Sequence, residues 1–292
     1  MCFLIRFYVT HKINVKDIVY GDIVKITLEV ISWDVAYIPV NGANASVLIN
    51  NKLYCANVSD GKAVIEIPDL NAGSYECVVV VDCGKNYTLS EKRVYFNVFK
   101  QSVKITAQNR DYVITYGGKY SAALSDTDGE KIIAKKLTFI LNGKNIGSVN
   151  TNSKGIAVIS LTSKILKTIK AGKKKLLIKF ENPNYKALSK TVRIIIKKEK
   201  TKIIAPNKTF NKSKKVKKYA VLVKNSNSKP LKRVRVILKI NGKNYKALTN
   251  SKGKAIFKIK NLVKKGRYTA KITFKGNGYY NKAGKKVKVT VK

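Results

Sequence analysis

The residues that could carry acid–base or metal chemistry are few in this chain of 292 residues. It contains a single His, His11, and 16 Asp and Glu side chains against 60 Lys and Arg. One His cannot build a His-based metal cage, and residues 200–292 contain no carboxylate. General acid–base catalysis, a calcium site and a Lys–Asn isopeptide crosslink all need carboxylates, so none is expected in that segment. We predict a protein that is not an enzyme, with no catalytic residue, cofactor or metal ion.

The other candidates for chemistry in the first hundred residues have simpler structural explanations. His11 stands alone before the first strand that the sequence pattern shows, so we expect a packing or solvent-facing side chain. Asp60, Asp69 and Asp82 lie near turns. Turn formation explains these aspartates better than a loose calcium site does, although that alternative stays open.

All four cysteines, Cys2, Cys55, Cys77 and Cys83, lie in the same first segment. Cys77 and Cys83 fall in one predicted strand, where six residues span roughly 20 Å, too far for a disulfide. Cys55 and Cys77 are the one pair that could bridge two strands. Because the rest of the chain repeats the same pattern without cysteine, we expect buried free thiols.

Five N-x-S/T triplets are possible glycosylation sites if the protein is exported. They begin at Asn44, Asn57, Asn86, Asn207 and Asn211.

Positive charge rises steeply along the chain and gives the best functional lead. Residues 1–100 hold 10 basic and 10 acidic residues, residues 101–199 hold 20 and 6, and residues 200–292 hold 30 and none. Such a gradient favours contact with an anionic partner at one end. A solvated lysine surface that keeps sheets from associating edge to edge is the alternative. The candidate polyanion-binding residues are Lys212, Lys214, Lys215, Lys217, Lys218, Lys232, Arg233, Arg235, Lys264, Lys265, Arg267, Lys285, Lys286 and Lys288.

Aromatic residues give little support for specific nucleic-acid binding. Single-strand binders interleave aromatic side chains with basic ones, and Tyr279 and Tyr280 are the one pair that could do so in the basic segment. Tyr87, Tyr185 and Tyr280 recur at matching places along the chain. A packing role shared by all three segments therefore explains Tyr280 better.

The elements that must position these residues recur three times along the chain. Turn residues correspond in sets: Asn50, Asn142 and Asn241; Gly61, Gly155 and Gly253; Gly73, Gly172 and Gly266. The last two glycine turns are 94 residues apart, so the repeated unit is a whole domain. We predict domains at 1–100 (neutral, with all Cys), 101–199 (basic and degenerate) and 200–292 (strongly basic), hereafter units 1, 2 and 3.

Each unit has the period-two pattern of β-strands that bury one face. Residues 233–240 alternate between inward Val234, Val236 and Leu238 and outward basic side chains. The dipeptides Asn142-Gly143 and Asn241-Gly242 predict type I′ hairpins. Helical periodicity is confined to 163–175. We expect six or seven strands per unit, less than 10% helix and β-sandwich domains.

Specific motifs in these predicted sandwiches resemble those of a known family. The segment LNAGSYEC at 70–77 resembles the tyrosine corner of immunoglobulin-like (Ig-like) domains, with Gly73 at the turn and Tyr75 as the corner. Gly266 and Tyr268 repeat the pair in unit 3. In unit 2, Lys174 stands where the tyrosine is expected. VKDIVYGDIVKITLEV at 15–30 resembles the Ig-like repeats of adhesin-like surface proteins of methanogenic archaea. TNSKGKAIFKI and ITFKGNGYYNKAGKKVKVTVK in unit 3 resemble the lysine-rich unit that closes many of them.

The resemblance implies an all-β protein of three tandem Ig-like β-sandwich domains, acting as an extracellular stalk or adhesin. With the charge gradient, it predicts a basic C-terminal domain held against anionic cell-wall or surface polymers, or against glycans of a host or neighbouring cell. Two alternatives stay open: a spacer or anchor fragment of a larger surface protein whose N-terminal head is missing, and a basic nucleic-acid-binding protein. Sequence-specific nucleic-acid binding is not expected.

The start of the chain bears on localisation. MCFLIRFYV is apolar but interrupted by Arg6, and no small-residue cleavage site follows, so it is a poor signal peptide. Either the protein stays inside the cell, or the chain begins downstream of its true start. No apolar run is long enough for a membrane helix.

Overall fold

The computed structural model describes residues 8–33, 37–85 and 87–292, and within them it is nearly all β. Strands make up 65% and helix 3%, which confirms the expectation of less than 10% helix. The chain forms three tandem Ig-like β-sandwiches, as the repeated turn pattern predicts. Their hydrophobic cores are three separate clusters of buried side chains.

Unit 1 contains nine strands in two sheets. They are β1 (Tyr8–Asn14), β2 (Ile18–Val19), β3 (Val24–Trp33), β4 (Tyr37–Pro39), β5 (Asn44–Ile49), β6 (Lys52–Asn57), β7 (Lys62–Ile67), β8 (Gly73–Asp82) and β9 (Ser90–Phe99). One sheet joins β1, β4 and β7 to the central strand β3, and the other has the order β2-β9-β8-β5-β6.

Unit 2 contains eight strands and a short helix. They are β10 (Val103–Thr106), β11 (Arg110–Val113), β12 (Gly117–Asp126), β13 (Lys136–Leu141), β14 (Lys144–Asn150), β15 (Ile156–Thr162), α1 (Ser163–Ile169), β16 (Gly172–Asn182) and β17 (Tyr185–Lys197). The sheets have the orders β10-β12-β15 and β11-β17-β16-β13-β14. Thr162 caps α1 and Leu166 is buried beneath it, so the inserted stretch forms the one described helix.

Unit 3 repeats this topology without the helix. Its strands are β18 (Thr201–Ile204), β19 (Lys208–Phe210), β20 (Val216–Asn225), β21 (Arg235–Ile240), β22 (Lys243–Leu248), β23 (Lys254–Lys260), β24 (Gly266–Phe274) and β25 (Ala283–Val291). The sheets have the orders β18-β20-β23 and β19-β25-β24-β21-β22.

A change of sheet at the start of each unit explains why more strands form than expected. The first strand joins the smaller sheet, and the chain then crosses to pair in parallel with the last strand of the unit. These crossing strands, β2, β11 and β19, are two to four residues long. Segments this short show no alternation in sequence, so the expected six or seven strands per unit became eight or nine.

Turn residues behave as the repeat predicts. Asn142 and Gly143 have φ of 51° and 82°, and Asn241 and Gly242 have φ of 48° and 69°. Positive φ at both central residues is the requirement of a type I′ hairpin, so both turn predictions are confirmed.

In all three units, tyrosine hydroxyls on strands donate hydrogen bonds to backbone carbonyls of loops. In units 1 and 3, the hydroxyls of Tyr75 and Tyr268 donate to the carbonyls four residues earlier, at 2.8 and 2.9 Å. Both rings are half-buried, whereas the corner pattern predicts largely buried rings. In units 2 and 3, Tyr120 and Tyr219 are buried in the core and donate to Gln108 O and Pro206 O at 2.8 and 2.6 Å. This second pair fixes the crossing between sheets and was not predicted.

Side chains also connect neighbouring units. Between units 1 and 2, the Tyr20 and Tyr185 rings meet edge to face at 5.3 Å, and Asn184 Nδ2 donates to Asn71 Oδ1 at 2.8 Å. Between units 2 and 3, the Glu199 carboxylate accepts from the Tyr116 and Ser226 hydroxyls. The boundaries near 100 and 200 fall in gaps between strands, and independent folding of each segment stays a prediction.

Candidate polyanion-binding surface

Thirteen of the fourteen predicted basic residues have exposed side chains, and one does not. Lys217 points into the core of unit 3 with 1% of its surface exposed, and its Nζ donates to Lys214 O at 2.8 Å. The prediction that Lys217 binds a polyanion is therefore wrong. Its place in β20 matches that of Val24 in β3, each two residues before the repeated inward positions Tyr219 and Ile26. Because side chains alternate between the two faces of β20, the side chain at position 217 points inward.

The exposed residues divide between the two ends and the two faces of unit 3. The loops at 211–215 and 261–265 lie at the end away from unit 2 and line an open groove of about 870 Å³ with Lys212, Lys265 and Lys292. Lys232 and Arg233 lie in the loop before β21, at the opposite end of the sandwich. Lys218 lies on the outer face of the smaller sheet, opposite Lys258.

The outer face of the five-stranded sheet β19-β25-β24-β21-β22 holds the largest group, which we call the basic face. Arg235, Arg267, Lys286 and Lys288 come from the predicted set, and Lys239, Lys246 and Lys271 join them. Sequence reasoning missed the last three because they are scattered along the chain and meet only through strand pairing. Aligning the three repeats at their turn glycines would have placed them on one face.

Charge pairing changes from unit 1 to unit 3 at matched positions. In unit 1, Lys25 Nζ lies 2.8 Å from Glu66 Oε1 across β3 and β7. The matching positions in unit 3 are Lys218 and Lys258, which face each other across β20 and β23. Like charges directly opposite in a sheet are destabilising. The basic side chains of unit 3 therefore do not serve to satisfy carboxylates of their own domain.

Aromatic side chains are absent from the basic face, which the structure describes in full. Tyr280 packs partly buried against the core of unit 3, where burial, and then the charge of Glu199, raises the pKa of its hydroxyl. Tyr185 is buried within the core of unit 2, and Tyr87 packs partly buried against the core of unit 1. Tyr279 lies beside helix α1, with Lys167 Nζ 5.4 Å from its ring centroid. No tyrosine is left to stack bases over the basic face.

His11 is part of the structure rather than a surface group. It lies within β1, opposite Val30 of β3, so the first strand begins earlier than expected. Its side chain is 1% exposed, and Nδ1 lies 2.9 Å from Ser90 Oγ. Burial, and then the charge of Lys92, lowers the pKa of His11 to about 4. The imidazole is therefore neutral at pH 7 and packs as a core residue.

The turn aspartates and the described cysteines of unit 1 have structural explanations as well, and Cys2 lies outside the described residues. Asp60 and Asp69 have φ of 48° and 60°, and Asp82 Oδ1 accepts from Gly84 N at 2.8 Å, which are features of turns. Within the described residues, no three His, Cys, Asp or Glu side chains come together as metal ligands.

Cys55, Cys77 and Cys83 are free thiols, as expected, but only Cys77 is buried. The expectation of a buried thiol is wrong for Cys55, which is exposed, and Cys83 is half-buried. Burial raises the pKa of Cys77.

Four of the five possible glycosylation sites have described positions, and all four are exposed. Asn44 and Asn57 face each other across β5 and β6. Asn207 Oδ1 accepts from Lys288 N, and Asn211 Oδ1 accepts from Ser213 N, so both side chains take part in local structure. Asn86 lies outside the described residues.

Several solved structures of tandem domains are similar to this chain at low sequence identity. A fragment of titin is 10% identical, with 97% of this chain and 99% of that chain covered and a TM-score of 0.38. A tetra-tandem repeat from the extending region of a large adhesion protein is 10% identical over 98% of this chain and 74% of that one, with a TM-score of 0.37. A structure concerned with host cell surface retention of a bacterial ice-binding adhesin is 12% identical over 96% and 98%, with a TM-score of 0.30.

At these identities and scores the similarity carries no argument about function. No protein-family model matches the sequence, and no curated protein matches it. The resemblance to archaeal adhesin-like repeats therefore stays a prediction. The helix of the described chain falls short of the length and apolarity that crossing a bilayer requires.

Proposed function

We propose that this is a non-enzymatic cell-surface protein, an Ig-like stalk and adhesion module whose basic C-terminal unit associates with anionic cell-envelope polymers. One observation carries the proposal: unit 3 is a folded domain with 30 positive and no negative side chains, next to a unit 1 that holds 10 of each. With one exception the predicted basic residues point outward. A surface of this kind attracts polyanions.

The fold suits a stalk. Three sandwiches follow one another, and side-chain contacts join each unit to the next. The same features suit a spacer or anchor within a larger surface protein, in which unit 3 keeps the task of holding an anionic envelope. That alternative changes the role of units 1 and 2 and leaves the role of unit 3 unchanged.

Nucleic-acid binding is the second candidate, since any polyanion releases counterions on contact with lysines. Two observations count against it. The basic face has no aromatic side chain on which bases could stack. It is also the face of a five-stranded sheet and carries no helix that could enter a groove and read base edges. Contact with DNA is therefore expected to be weak and independent of sequence.

Co-sedimentation of the full chain with purified cell walls across a salt series tests the proposal. At about 0.15 M salt, where screening acts over roughly 8 Å, we expect retention on the multivalent wall and weak binding to short duplex DNA. A unit 3 variant and a control with the same loss of charge are compared. The unit 3 variant carries Gln at Lys214, Arg235, Lys265, Arg267 and Lys288. The control carries Gln at Lys104, Lys136, Lys144, Lys154 and Lys186, which are exposed residues of unit 2.

The proposal predicts several-fold greater loss of retention for the unit 3 variant than for the control. Equal loss in both would show that total charge, not unit 3, holds the wall. A wild-type chain that stays in the supernatant at every salt concentration would leave a plain spacer. Tight binding to one DNA sequence at 0.15 M salt would favour the nucleic-acid alternative.

A further inference from the structure

Three lysines form a continuous row across the middle of the basic face. Lys239 of β21 lies directly opposite Lys271 of β24, and Lys271 lies directly opposite Lys286 of β25. All three side chains are exposed. Directly opposite residues have Cβ atoms about 5 Å apart, so the three charges repel one another within the folded sheet. We call these residues the lysine row.

Nothing in unit 3 offsets this repulsion. The unit contains no Asp or Glu. The neighbouring outward positions are held by Thr269, Thr273, Ile237, Gly284 and a further basic residue, Lys288, with Asn244 continuing the row on β22. Elsewhere in the chain a comparable charge is paired: Arg93 of unit 1 makes an ion pair with Glu76.

The matched rows in the other two units show that the fold does not require lysine here. Counted from the repeated turn residues, the same three positions are Leu48, Val78 and Arg93 in unit 1. In unit 2 they are Ile140, Leu177 and Thr191, which face one another in the same register. The first two positions of the row, which correspond to Lys239 and Lys271, are thus apolar in units 1 and 2 and lysine in unit 3. Where unit 2 has an apolar cross-strand pair, unit 3 has a pair of like charges, which is unfavourable and points to a partner outside the chain.

We propose that the lysine row is the binding track for an acidic polysaccharide that lies across the strands of the basic face. The inference rests on the proposed function and identifies the surface and polymer class that carry it. Adjacent strands are about 4.8 Å apart, a distance similar to the length of one sugar ring, so successive acidic sugars can each meet one lysine. Each ammonium group brings three donors, and the hydroxyls of Thr269 and Thr273 flank the track. The lack of stacking aromatics counts against a polymer of bases.

Binding of polygalacturonate to the full 292-residue chain in about 0.15 M salt tests this inference. The row variant carries Lys239→Thr, Lys271→Thr and Lys286→Thr, because threonine already occupies the matched position 191. The control carries Lys202→Thr, Lys218→Thr and Lys258→Thr, three exposed lysines on the outer face of the opposite sheet. Both variants lose the same charge from the same domain. The single substitution Lys271→Thr, at the centre of the row, is a milder second variant.

We expect the row variant to bind polygalacturonate about tenfold more weakly or worse, Lys271→Thr to fall between it and the wild type, and the control to change less than about threefold. The row variant should also melt no lower than the wild type, since it relieves like-charge repulsion. Equal weakening in row variant and control would overturn the lysine row while leaving electrostatic association of unit 3 intact. If the wild type binds cell walls but not polygalacturonate, or if the row variant loses DNA binding as strongly as polysaccharide binding, the assignment to an acidic polysaccharide is wrong. Failure of the wild type to bind any polyanion would overturn the proposed function itself.

Discussion

At the scale of single residues, His11 links the folding of unit 1 to pH. Its pKa is about 4 in the folded chain against 6.5 for an exposed histidine. Between these values the unfolded chain binds a proton that the folded chain does not, so stability falls as the pH falls from about 6.5 to about 4. The neutral His11 contributes up to about 3 kcal/mol to the free energy of unfolding, and this contribution is fully present above pH 6.5. Urea unfolding of the wild type from pH 4 to pH 8, followed by a probe in unit 1, measures it.

The matched control for this prediction is His11→Gln, which retains a polar side chain and removes the titration. Carboxylates also titrate near the lower end of this range, so the difference between the two proteins is the quantity that matters. If the free energy of unfolding changed with pH in the same way for wild type and variant, His11 would not contribute to the pH dependence of stability.

A turn can need glycine because of a positive φ or because there is no room for a Cβ atom. Gly242 shows the first reason alone, and Gly253 shows both. Both have φ of +69°, where other residues are strained, but an added Cβ at Gly242 meets nothing within 4 Å. At Gly253 it would lie 2.7 Å from Val223 O and 2.9 Å from Pro230 Cβ. We expect Gly242→Ala to cost about 1 kcal/mol from backbone strain and Gly253→Ala about 3 kcal/mol or more, because the clash is added.

Chemical denaturation of the two glycine variants checks this difference. The close approach recurs at Gly61 and Gly155, where the Cβ would lie 2.9 Å from Val30 O and 2.8 Å from Leu124 O. The same large effect is therefore expected in units 1 and 2. Equal losses for Gly242→Ala and Gly253→Ala would mean that the turn can move away from the neighbouring strand.

At the scale of elements, the crossing between the two sheets depends on a buried tyrosine hydroxyl. Tyr219 is 1% exposed, and its hydroxyl bond to Pro206 O holds the segment between β18 and β19. Tyr219→Phe should destabilise unit 3 by about 1 kcal/mol, the usual net contribution of one hydrogen bond. Tyr268→Phe removes a bond from a half-buried ring and should cost about 0.5 kcal/mol, at the low end of the same range. Thermal unfolding of both variants tests the order, and a larger loss for Tyr268→Phe would contradict it.

Long strands could be predicted from sequence, and the shortest could not. β24 shows inward Tyr268, Ala270 and Ile272 between polar residues, a pattern that needs no knowledge of its neighbours. β19 contains three residues, and its place is set by parallel pairing with β25, about 80 residues later in the chain. The lysine row was missed for the same reason: Lys239 and Lys271 are neighbours only after register is known. The prediction for Lys217 was wrong for a different reason: a count of charged residues ignores the face of the sheet toward which each strand residue points.

At the scale of the whole molecule, Glu199 fixes the contact between units 2 and 3. Its carboxylate is 1% exposed and accepts from the hydroxyls of Tyr116 in unit 2 and Ser226 in unit 3. We expect Glu199→Ala to loosen the junction while leaving both cores intact, and Glu199→Gln to retain an acceptor and most of the restraint. NMR relaxation, which reports whether units 2 and 3 tumble together, distinguishes the variants. Identical tumbling of wild type and Glu199→Ala would assign the restraint to the backbone bonds between Glu199, Tyr279 and Asn281.

The parallel pairing at the start of each unit has a mechanical consequence for a stalk under tension. The chain enters a sandwich through its first strands and leaves through its last, so a pull on the two ends loads the parallel pair along its length and strains its hydrogen bonds together. That pair joins two residue positions in unit 1, three in unit 3 and four in unit 2. Stretching the molecule should therefore shear the crossing strands apart in that order. Unit 1 would therefore extend first and limit the tension on the rest of the chain, so that unit 3 stays folded at forces that already open unit 1.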